Sequence, residues 1–258
     1  MKILLTGTTG QLGQALKKNL SQHHTVVAPT RSELDLSRTD QIAEYIQTVR
    51  PELIVNPAAY TAVDQAESEP DLAEKINAIA PGIMADEAKK LDIGLIHYST
   101  DYVFDGSLRD AEGQLHAYSE QNACNPLNVY GKTKLAGEQA IQASACRHLI
   151  LRTSWVYSMT GKNFLLTMLR LAKERKELRI VNDQWGAPTS APWIAEVSTT
   201  LIQQIATAHD AAAWWKQHSG LYHLSTTGHT SWCGFTEEIL RQAFAQGLLA
   251  APLPVVHG

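Results

Sequence analysis

Tyr130 and Lys134 are the residues of this chain whose types and spacing point most directly to chemistry. They stand four positions apart in a stretch that we predict to be helical, so both side chains share one face of the helix. A free phenol has a pKa of about 10, too high for easy proton exchange at neutral pH. A neighbouring ammonium favours the phenolate and lowers that pKa. The pair therefore predicts a general acid or base at Tyr130, with Lys134 as its partner.

Hydroxyl groups follow the fourth predicted strand, where the sequence reads Tyr98-Ser99-Thr100-Asp101. In parallel α/β sheets, ligands bind beyond the carboxyl ends of the strands. Either Ser99 or Thr100 can therefore hydrogen-bond a substrate oxygen and tune a proton transfer there. Taken alone, these residues are also typical of a capped junction between a strand and a loop, and Tyr-x-x-x-Lys is typical of an amphipathic surface pair. Their occurrence together with a glycine-rich turn favours a site.

That turn contains Gly7, Gly10 and Gly13, between the first predicted strand and the first predicted helix. Glycine permits a tight turn and a close approach of phosphate to the backbone, and a helix N-terminus attracts a pyrophosphate. The spacing is GxxGxxG, and a tight turn alone needs glycine without any ligand. The position of the turn at the start of a strand–helix–strand unit favours a dinucleotide, whose nicotinamide ribose Lys134 would hydrogen-bond.

The end of the second predicted strand bears on the choice of cofactor. Thr30 and Arg31 stand there, without the acid that usually binds the ribose hydroxyls of NAD. Arg31 is suited to neutralise the extra phosphate of NADP, and it is equally typical of a solvated surface arginine. NADPH is therefore favoured, and NADH stays open.

Two further pairs of residues are candidates for the cofactor pocket. Asp35 and Leu36 fall where the chain can meet the adenine. Ala58 and Ala59 follow the third predicted strand, and their small side chains would let the backbone pass close to the cofactor. Small residues at this point are also typical of tight packing without a ligand.

The elements that must position these residues follow an alternating pattern. Short β-rich runs at 2–6, 25–28, 52–56, 93–98 and 148–152 alternate with helical stretches at 11–20, 39–49, 71–91 and 128–145. The alternation predicts an α/β fold, with a Rossmann-type doubly wound parallel sheet in a dinucleotide-binding domain over residues 1–155. Pro81 is expected to kink or break the third helix.

Beyond residue 155 the alternation loosens. Helices are predicted at 163–173, 193–206 and 231–245, and a short strand at 221–224. We interpret residues 156–258 as a small C-terminal substrate-binding region of mixed α/β structure, packed beside the sheet. Residues 105–125 are polar and poor in pattern, which predicts a surface loop near the site.

Composition narrows the classes of function. The formal net charge of -4 argues against binding to nucleic acid or to an acidic membrane. No run of about 18 apolar residues is present to span a membrane, and the apolar N-terminus is too short for a signal peptide. Three cysteines without a CxxC pair favour a cytoplasmic protein. Because HExxH, Cys/His clusters and GxSxG are all missing, we predict neither a metal site nor a serine hydrolase.

Together these motifs resemble the extended short-chain dehydrogenase/reductases, and among them the family of dTDP-4-dehydrorhamnose reductases. The resemblance covers most of the chain to about residue 240. Besides the glycine turn, it rests on the segments NPAAYTAVDQAE (56–67), HYSTDYVF (97–104), PLNVYGKTKLAGE (126–138), LRTSWVY (151–157), NFLLTMLRLAKE (163–174) and NDQWGAPT (182–189). It implies that NADPH or NADH reduces the C4 keto group of dTDP-6-deoxy-L-lyxo-4-hexulose to dTDP-L-rhamnose, for bacterial surface polysaccharides such as lipopolysaccharide O-antigen.

The resemblance also implies roles for individual residues. Tyr130 would be the proton donor, Lys134 its partner, and Thr100 the hydroxyl that activates the substrate. Thr100, Tyr130, Asp101 and Trp155 would face the sugar nucleotide, although a tryptophan taken alone is more often a packing residue. The resemblance places the following residues along the cofactor: Gly10, Gln11, Leu12, Asp35, Leu36, Ala59, Tyr60, Thr61 and Tyr98.

The sequence departs from the family pattern in places. Members normally continue for some tens of residues, with a segment that helps to enclose the nucleotide, so we expect a shortened C-terminal region here. Some members are magnesium-bridged dimers that use glutamates, which makes a homodimer an expectation. Ala15 and Pro192 stand where two of those glutamates would be sought, so a magnesium site is not predicted.

Two other functions stay open at this point. A sugar-nucleotide 4,6-dehydratase or epimerase uses the same scaffold, but dehydratases typically place Asp-Glu after the threonine, and here Asp101 is followed by Tyr102. The other is a non-catalytic NADP-binding regulatory subunit, such as the beta subunit of methionine adenosyltransferase. The presence of Tyr130, Lys134 and Thr100 favours an enzyme.

Overall fold

The strands and helices of the computed structural model, which describes residues 1–258, alternate over the first 153 residues. The strands are β1 (Lys2–Leu5), β2 (Thr25–Val27), β3 (Leu53–Asn56), β4 (Gly94–Thr100), β5 (Arg147–Thr153), β6 (Val156–Tyr157), β7 (Glu177–Arg179), β8 (Trp185–Gly186), β9 (Thr189–Ser190), β10 (Gly220–His223), β11 (Thr230–Ser231) and β12 (Val255–His257). The α-helices are α1 (Gln11–Leu20), α2 (Ile42–Val49), α3 (Val63–Ala66), α4 (Pro70–Glu74), α5 (Ala80–Lys90), α6 (Val129–Ser144), α7 (Phe164–Glu174), α8 (Ala191–Thr207), α9 (Ala211–His218) and α10 (Trp232–Ala245).

Six strands form one parallel sheet in the order β10-β5-β4-β3-β1-β2. The strand order reverses between β1 and β3, because the chain runs outward to β2 and then returns to the other side of β1. In doubly wound sheets such a reversal opens a crevice at the carboxyl ends of the strands, where ligands bind. The predicted α/β fold with a Rossmann-type parallel sheet is confirmed.

The strands are buried because helices cover the sheet. Leu4, Ile54, Leu95 and Ile150, from four neighbouring strands, belong to one core cluster with side chains of α2, α5 and α6. Strands buried on both faces are typically continuous apolar runs, as Ile3–Leu5 of β1 and Leu53–Val55 of β3 show. This core fixes the strand ends that carry the candidate site.

The helix predicted at 71–91 is divided in the structure. α4 is followed by a π-helical turn at Lys75–Ile79 and then by α5. Pro81 is the second residue of α5, and Ile79 and Ala80 before it keep helical backbone angles, so the helix continues through the proline. The prediction of a disruption near Pro81 is correct, but the irregular turn precedes the proline.

The chain divides into two compact units. Unit 1 comprises residues 1–153 and 195–224, and unit 2 comprises residues 154–194 and 225–258. The predicted division at 155/156 differs from this one, because α8 returns the chain to unit 1. The strand assigned to the C-terminal region is β10, which pairs with β5 at the edge of the main sheet.

Unit 2 has a small core of its own. Phe235, Ile239 and Leu240 of α10 pack there with Met168 of α7 and Leu178 of β7. Three two-stranded ladders, β6–β9, β7–β12 and β8–β11, surround this core. In unit 1, residues 105–125 form no named strand or helix, and one bridge joins Arg109 and Leu115.

Candidate active site

The glycine turn between β1 and α1 is shaped by close backbone contacts. Gly7 has a φ of +60°, and a Cβ at this position would lie 2.7 Å from the Cα of Ala58. A Cβ at Gly13 would lie 2.1 Å from the carbonyl oxygen of Gly7. Gly10 is the N-cap of α1 and has no side chain to hydrogen-bond the first turn, and the N-terminus of a helix attracts an anion. These contacts give the predicted turn a backbone surface that fits a pyrophosphate.

The segment after β2 contains the residues predicted near the adenine. Arg31 is 75 % exposed, and its Nε lies 3.2 Å from Asp35 Oδ2. The backbone and side chain of Thr30 both donate to Glu33. Hydrogen bonds from Ser37, chiefly its backbone N–H, lower the pKa of Asp35.

Leu36 differs from the other residues of this segment. Its side chain packs in the core cluster beneath the sheet. Apolar burial of that side chain explains the leucine, so the side chain of Leu36 is a core contact and only its backbone is left for a cofactor.

The segment after β3 is held in place by side-chain hydrogen bonds to Tyr60. Asn77, in the π-helical turn, accepts a hydrogen bond from the backbone N–H of Tyr60 at 2.8 Å and donates to its carbonyl at 3.1 Å. The Tyr60 hydroxyl donates to Glu69 at 2.6 Å, and this bond raises the pKa of Tyr60 to about 12. Ala59 is half-buried and Thr61 is exposed. Asn77 also donates to Thr133 of α6, so it joins this segment to the helix that carries Tyr130.

Helix α6 begins at a doubly capped terminus. Asn128 accepts from the backbone N–H of Gly131 at 2.7 Å, and Glu67 accepts from that of Val129 at 2.7 Å. Side-chain acceptors at this position satisfy N–H groups that lack intrahelical partners. The two caps fix the first turn of α6 and therefore the position of Tyr130.

Tyr130 and Thr100 meet at the carboxyl end of β4. The half-buried phenol lies close enough to the Thr100 hydroxyl for that hydroxyl to lower its pKa. The Thr100 hydroxyl lies 3.2 Å from Asp101 Oδ1 and accepts from the N–H of Tyr102. The phenol can therefore donate to Thr100, which donates in turn to Asp101. Ser99, the other predicted hydroxyl, is buried and its Oγ makes no hydrogen bond.

Lys134 lies beneath this pair. Its side chain is 1 % exposed, and its Nζ donates to the Tyr98 carbonyl at 2.7 Å and lies 3.0 Å from His97 Nε2. Burial lowers the pKa of Lys134 to about 8, and the nearby Glu138 carboxylate opposes that effect. The amine is thus directed toward β4.

The expected effect of Lys134 on Tyr130 is not found. Burial raises the pKa of Tyr130 above its ordinary value, the interaction with the Thr100 hydroxyl opposes this, and the charge of Asp101 adds to it. The amine of Lys134 contacts His97 and the Tyr98 carbonyl instead. The phenol is therefore held in its protonated form.

Tyr98 also differs from its predicted role. Its hydroxyl donates to Ser198 of α8 at 2.7 Å, and its ring is buried in unit 1. Successive side chains of a strand point to opposite faces, so the ring of Tyr98 faces away from that of His97. Its carbonyl, rather than its ring, serves the site by holding Lys134.

Trp155 lies in unit 2. Its φ is +45°, and its ring stacks on Trp232 with centroids 3.5 Å apart. A Cβ at Gly186 would lie 2.4 Å from the Trp155 ring, so the glycine makes room for it. The packing interpretation of Trp155 explains these contacts, and its predicted contact with the sugar nucleotide stays a prediction.

Three residues of the site were missed by sequence reasoning. Asn56, Asn77 and His97 are all fully buried, and each makes side-chain hydrogen bonds to partners far away in the chain. Polar residues within otherwise apolar strand and helix patterns were the available signal.

No group of three or more His, Cys, Asp or Glu side chains is arranged to hold a metal ion. None of the helices combines the length and apolar character that crossing a bilayer requires.

Comparison with known proteins adds independent findings. Residues 1–257 match the family model described as the RmlD substrate binding domain. The dTDP-4-dehydrorhamnose reductase of Escherichia coli K12 is 44 % identical over 252 residues, which cover 96 % of this chain and 80 % of the relative. Two solved structures of such reductases are similar across the chain. That from Clostridium acetobutylicum has a TM-score of 0.85 at 34 % identity, covering 100 % of this chain and 83 % of its own. The structure from Bacillus anthracis, in complex with NADP, has a TM-score of 0.84 at 35 % identity. It covers 99 % of this chain and 82 % of its own.

Proposed function

Because the chain belongs to the RmlD substrate binding domain family, we propose that it reduces the C4 keto group of dTDP-4-dehydro-L-rhamnose to dTDP-L-rhamnose. The observation that carries this proposal is that the phenol of Tyr130 meets the Thr100 hydroxyl at the end of β4, with the buried Lys134 one helical turn further along α6. The product would be a precursor of bacterial surface polysaccharides such as O-antigen.

The chain's own residues would supply the proton. A ketone oxygen placed between the Tyr130 phenol and the Thr100 hydroxyl accepts two hydrogen bonds, which stabilise the charge that develops on it. The raised pKa of Tyr130 keeps the phenol protonated, which is the form that a reduction consumes. The Thr100 hydroxyl, which donates to Asp101 in the structure, would turn its single hydrogen to the ketone oxygen.

NADPH is the proposed cofactor, with NADH as the weaker alternative. A bound dihydronicotinamide would supply the hydride. The first-turn N–H groups of α1 and the backbone at Gly7 would hold the pyrophosphate. Arg31 uses only its Nε on Asp35, so both Nη groups are left for a ribose phosphate. The similar Bacillus anthracis structure contains NADP, which agrees with this choice.

The proposed substrate is a dTDP-sugar. Thr100, Asp101 and Tyr130 would contact its sugar ring, because they surround the point where the keto oxygen must lie. Trp155 is proposed as a further contact, on the strength of the family resemblance. Magnesium has no part in this proposal, because the chain's acidic residues form no cluster for it.

The test is an NADPH-oxidation assay with the 4-keto sugar nucleotide, repeated with NADH. We expect Tyr130→Phe to lower kcat by about 100-fold or more, the range for removal of a general acid. NADPH affinity should stay within about threefold, because the ring and the Lys134 anchors are kept. Tyr102→Phe is the matched control, since Tyr102 packs edge-on against Tyr130 at 5.5 Å and should keep its activity.

The rival activity is tested in the same experiment without reductant. A dehydratase or epimerase would convert its sugar nucleotide with catalytic NAD(P)+ and no net oxidation of NADPH. Dehydratases place a glutamate directly after the aspartate that corresponds to Asp101. Here that position is Tyr102, whose ring packs against Tyr130, so the glutamate side chain is missing. Turnover without reductant, or binding of NADPH without oxidation across keto-sugar nucleotides, would contradict the proposed reduction.

A further inference from the structure

A chain of four buried polar side chains runs from the centre of the sheet to Lys134. Thr6 Oγ1 donates to Asn56 Oδ1 at 2.5 Å, and Asn56 Nδ2 lies 3.0 Å from His97 Nδ1. His97 Nε2 lies 3.0 Å from Lys134 Nζ. The four residues come from the β1 end, β3, β4 and α6, and none of them is more than 3 % exposed. Polar groups buried to this degree are costly unless each is paired, so each member of this chain of contacts fixes the position of the next.

Each hydrogen bond of this network needs one donor and one acceptor, so the protonation state of one member sets the roles of the next. A charged ammonium only donates, so a charged Lys134 requires an unprotonated Nε2 on His97. A neutral imidazole then carries its hydrogen on Nδ1 and donates it to the amide oxygen of Asn56. A neutral amine reverses the pattern: His97 donates from Nε2, and its Nδ1 accepts from the Asn56 nitrogen. The structure has the Asn56 nitrogen facing His97 and its oxygen facing Thr6, so the first pattern requires the Asn56 amide to turn and the second does not.

We propose that His97 is a positioning residue for the reduction: its imidazole holds the amine of Lys134 and changes tautomer with the charge of that amine. The inference rests on the proposed function of this site. When the amine is charged, His97 and the Tyr98 carbonyl would accept two of its N–H groups, and the third would be left for the cofactor ribose. Without the imidazole, the flexible side chain of Lys134 loses one of its two anchors.

Few charged groups surround the amine. Glu138, one turn along α6, raises the pKa of Lys134 against the larger effect of burial, and Glu138 is paired with Arg152 of β5. Tyr130, one turn earlier on α6, is held as the neutral phenol. Burial and then the charge of Lys134 lower the pKa of His97 well below its ordinary value. The imidazole therefore stays neutral while the amine titrates, which makes a change of tautomer the response that the geometry allows.

The two ring nitrogens of His97 can be tested separately. Glutamine places an amide near the Nε2 position, toward Lys134, whereas asparagine places one near the Nδ1 position, toward Asn56. We expect His97→Asn and His97→Leu to lower kcat by about 10- to 100-fold, as loss of orientation does. His97→Gln should stay within about threefold of the native kcat. His148→Leu, which removes a half-buried histidine of β5, is the matched control and should leave kcat unchanged.

The pH profile separates positioning from mere stability. Loss of an acceptor disfavours the ammonium, so in His97→Asn the alkaline limb of kcat should move to lower pH, whereas His97→Gln should keep it. Circular dichroism and urea unfolding identify any variant that fails to fold. If His97→Asn and His97→Leu both fail to fold, His97→Gln and the spectroscopic measurement below still decide the proposal.

The direct readout needs neither substrate nor cofactor. Nitrogen-15 NMR of the ring-labelled protein should show His97 neutral from about pH 6 to 9.5, changing from the Nδ1–H to the Nε2–H tautomer as Lys134 loses its proton. In Lys134→Met the tautomer should not vary with pH. A single pH-independent tautomer in the native chain would overturn the proposal, as would a native kcat and pH profile in folded His97→Asn. A tautomer change without any sugar reduction would instead contradict the proposed function alone.

Discussion

At the residue scale, the amine of Lys134 is the most constrained group of the site. Its Nζ has two hydrogen-bond partners and almost no contact with water. Burial disfavours the charged form, and this lowers the pKa from its ordinary 10.5 to about 8. A functional side chain thus destabilises the fold at neutral pH, which is common at sites that hold a perturbed pKa.

This shift predicts a pH dependence of stability. The folded pKa lies below the unfolded one, so between about pH 8 and 10.5 the unfolded chain binds more protons and stability rises with pH. Below about pH 8 both states are protonated and the full penalty applies. We expect the free energy of unfolding of the native chain to gain about 3 kcal/mol relative to Lys134→Met over this interval. Urea titrations measure it, with exposed Lys132→Met as the control. Parallel pH curves for the native chain and Lys134→Met would contradict the prediction.

At the element scale, α6 lies close to the backbone of the π-helical turn at Lys75–Ile79. A Cβ at Gly137 would lie 2.1 Å from the carbonyl oxygen of Asn77. Asn77 in turn holds Tyr60 and Thr133, so the turn joins three segments around Tyr130. Wide turns inside helices are often found at functional sites. Here the turn presents one asparagine to both the segment after β3 and helix α6.

The close approach predicts a difference between two glycines. Gly137→Ala should lower the free energy of unfolding by about 1–3 kcal/mol, because its new methyl group meets backbone that cannot rotate away. Gly82→Ala on α5 is the matched control, since its Cβ would lie 3.2 Å from the Ala140 side chain. There a gain in helix propensity of about 1 kcal/mol offsets the tight contact. Urea unfolding compares the two, and equal effects would contradict the prediction.

At the scale of the whole molecule, unit 1 is discontinuous in sequence. Residues 195–224 contribute β10 to the sheet edge and Ser198 to the hydroxyl of Tyr98. They also contribute Trp215, which is buried and so close to Gly94 that a Cβ there would lie 2.1 Å from its ring. The sheet therefore depends on a segment that follows most of unit 2 in the chain.

This organisation predicts the behaviour of fragments. Residues 1–155 alone should not unfold cooperatively, because β5 would be an open edge and Tyr98 would lose its partner. Residues 1–155 joined to 190–224 by a short Gly/Ser linker should fold and bind NADPH. The linker can be short because β6 and β9 are adjacent parallel strands. Urea unfolding and NADPH fluorescence measure both fragments. Cooperative unfolding of residues 1–155 would contradict the prediction.

Local patterns predicted the fold well because they depend on near neighbours in the chain. The alternation of strands and helices and the glycine turn at 7–13 are confirmed. The interruption near Pro81 was predicted, but its π-helical form was not. The return of residues 195–224 to unit 1 was missed, since strand pairing between β5 and β10 leaves no local signal.

The sequence by itself determined the family, through its motifs, and it predicted the pair of Tyr130 and Lys134, because two residues need only helical spacing to share a face. Only the tertiary structure decided how that chemistry is arranged. It placed Lys134 on His97 and the Tyr98 carbonyl, and it kept the phenol of Tyr130 protonated. The physical reason is that burial and long-range hydrogen bonds set a side chain's charge and direction, and both depend on residues that meet only when the sheet is assembled.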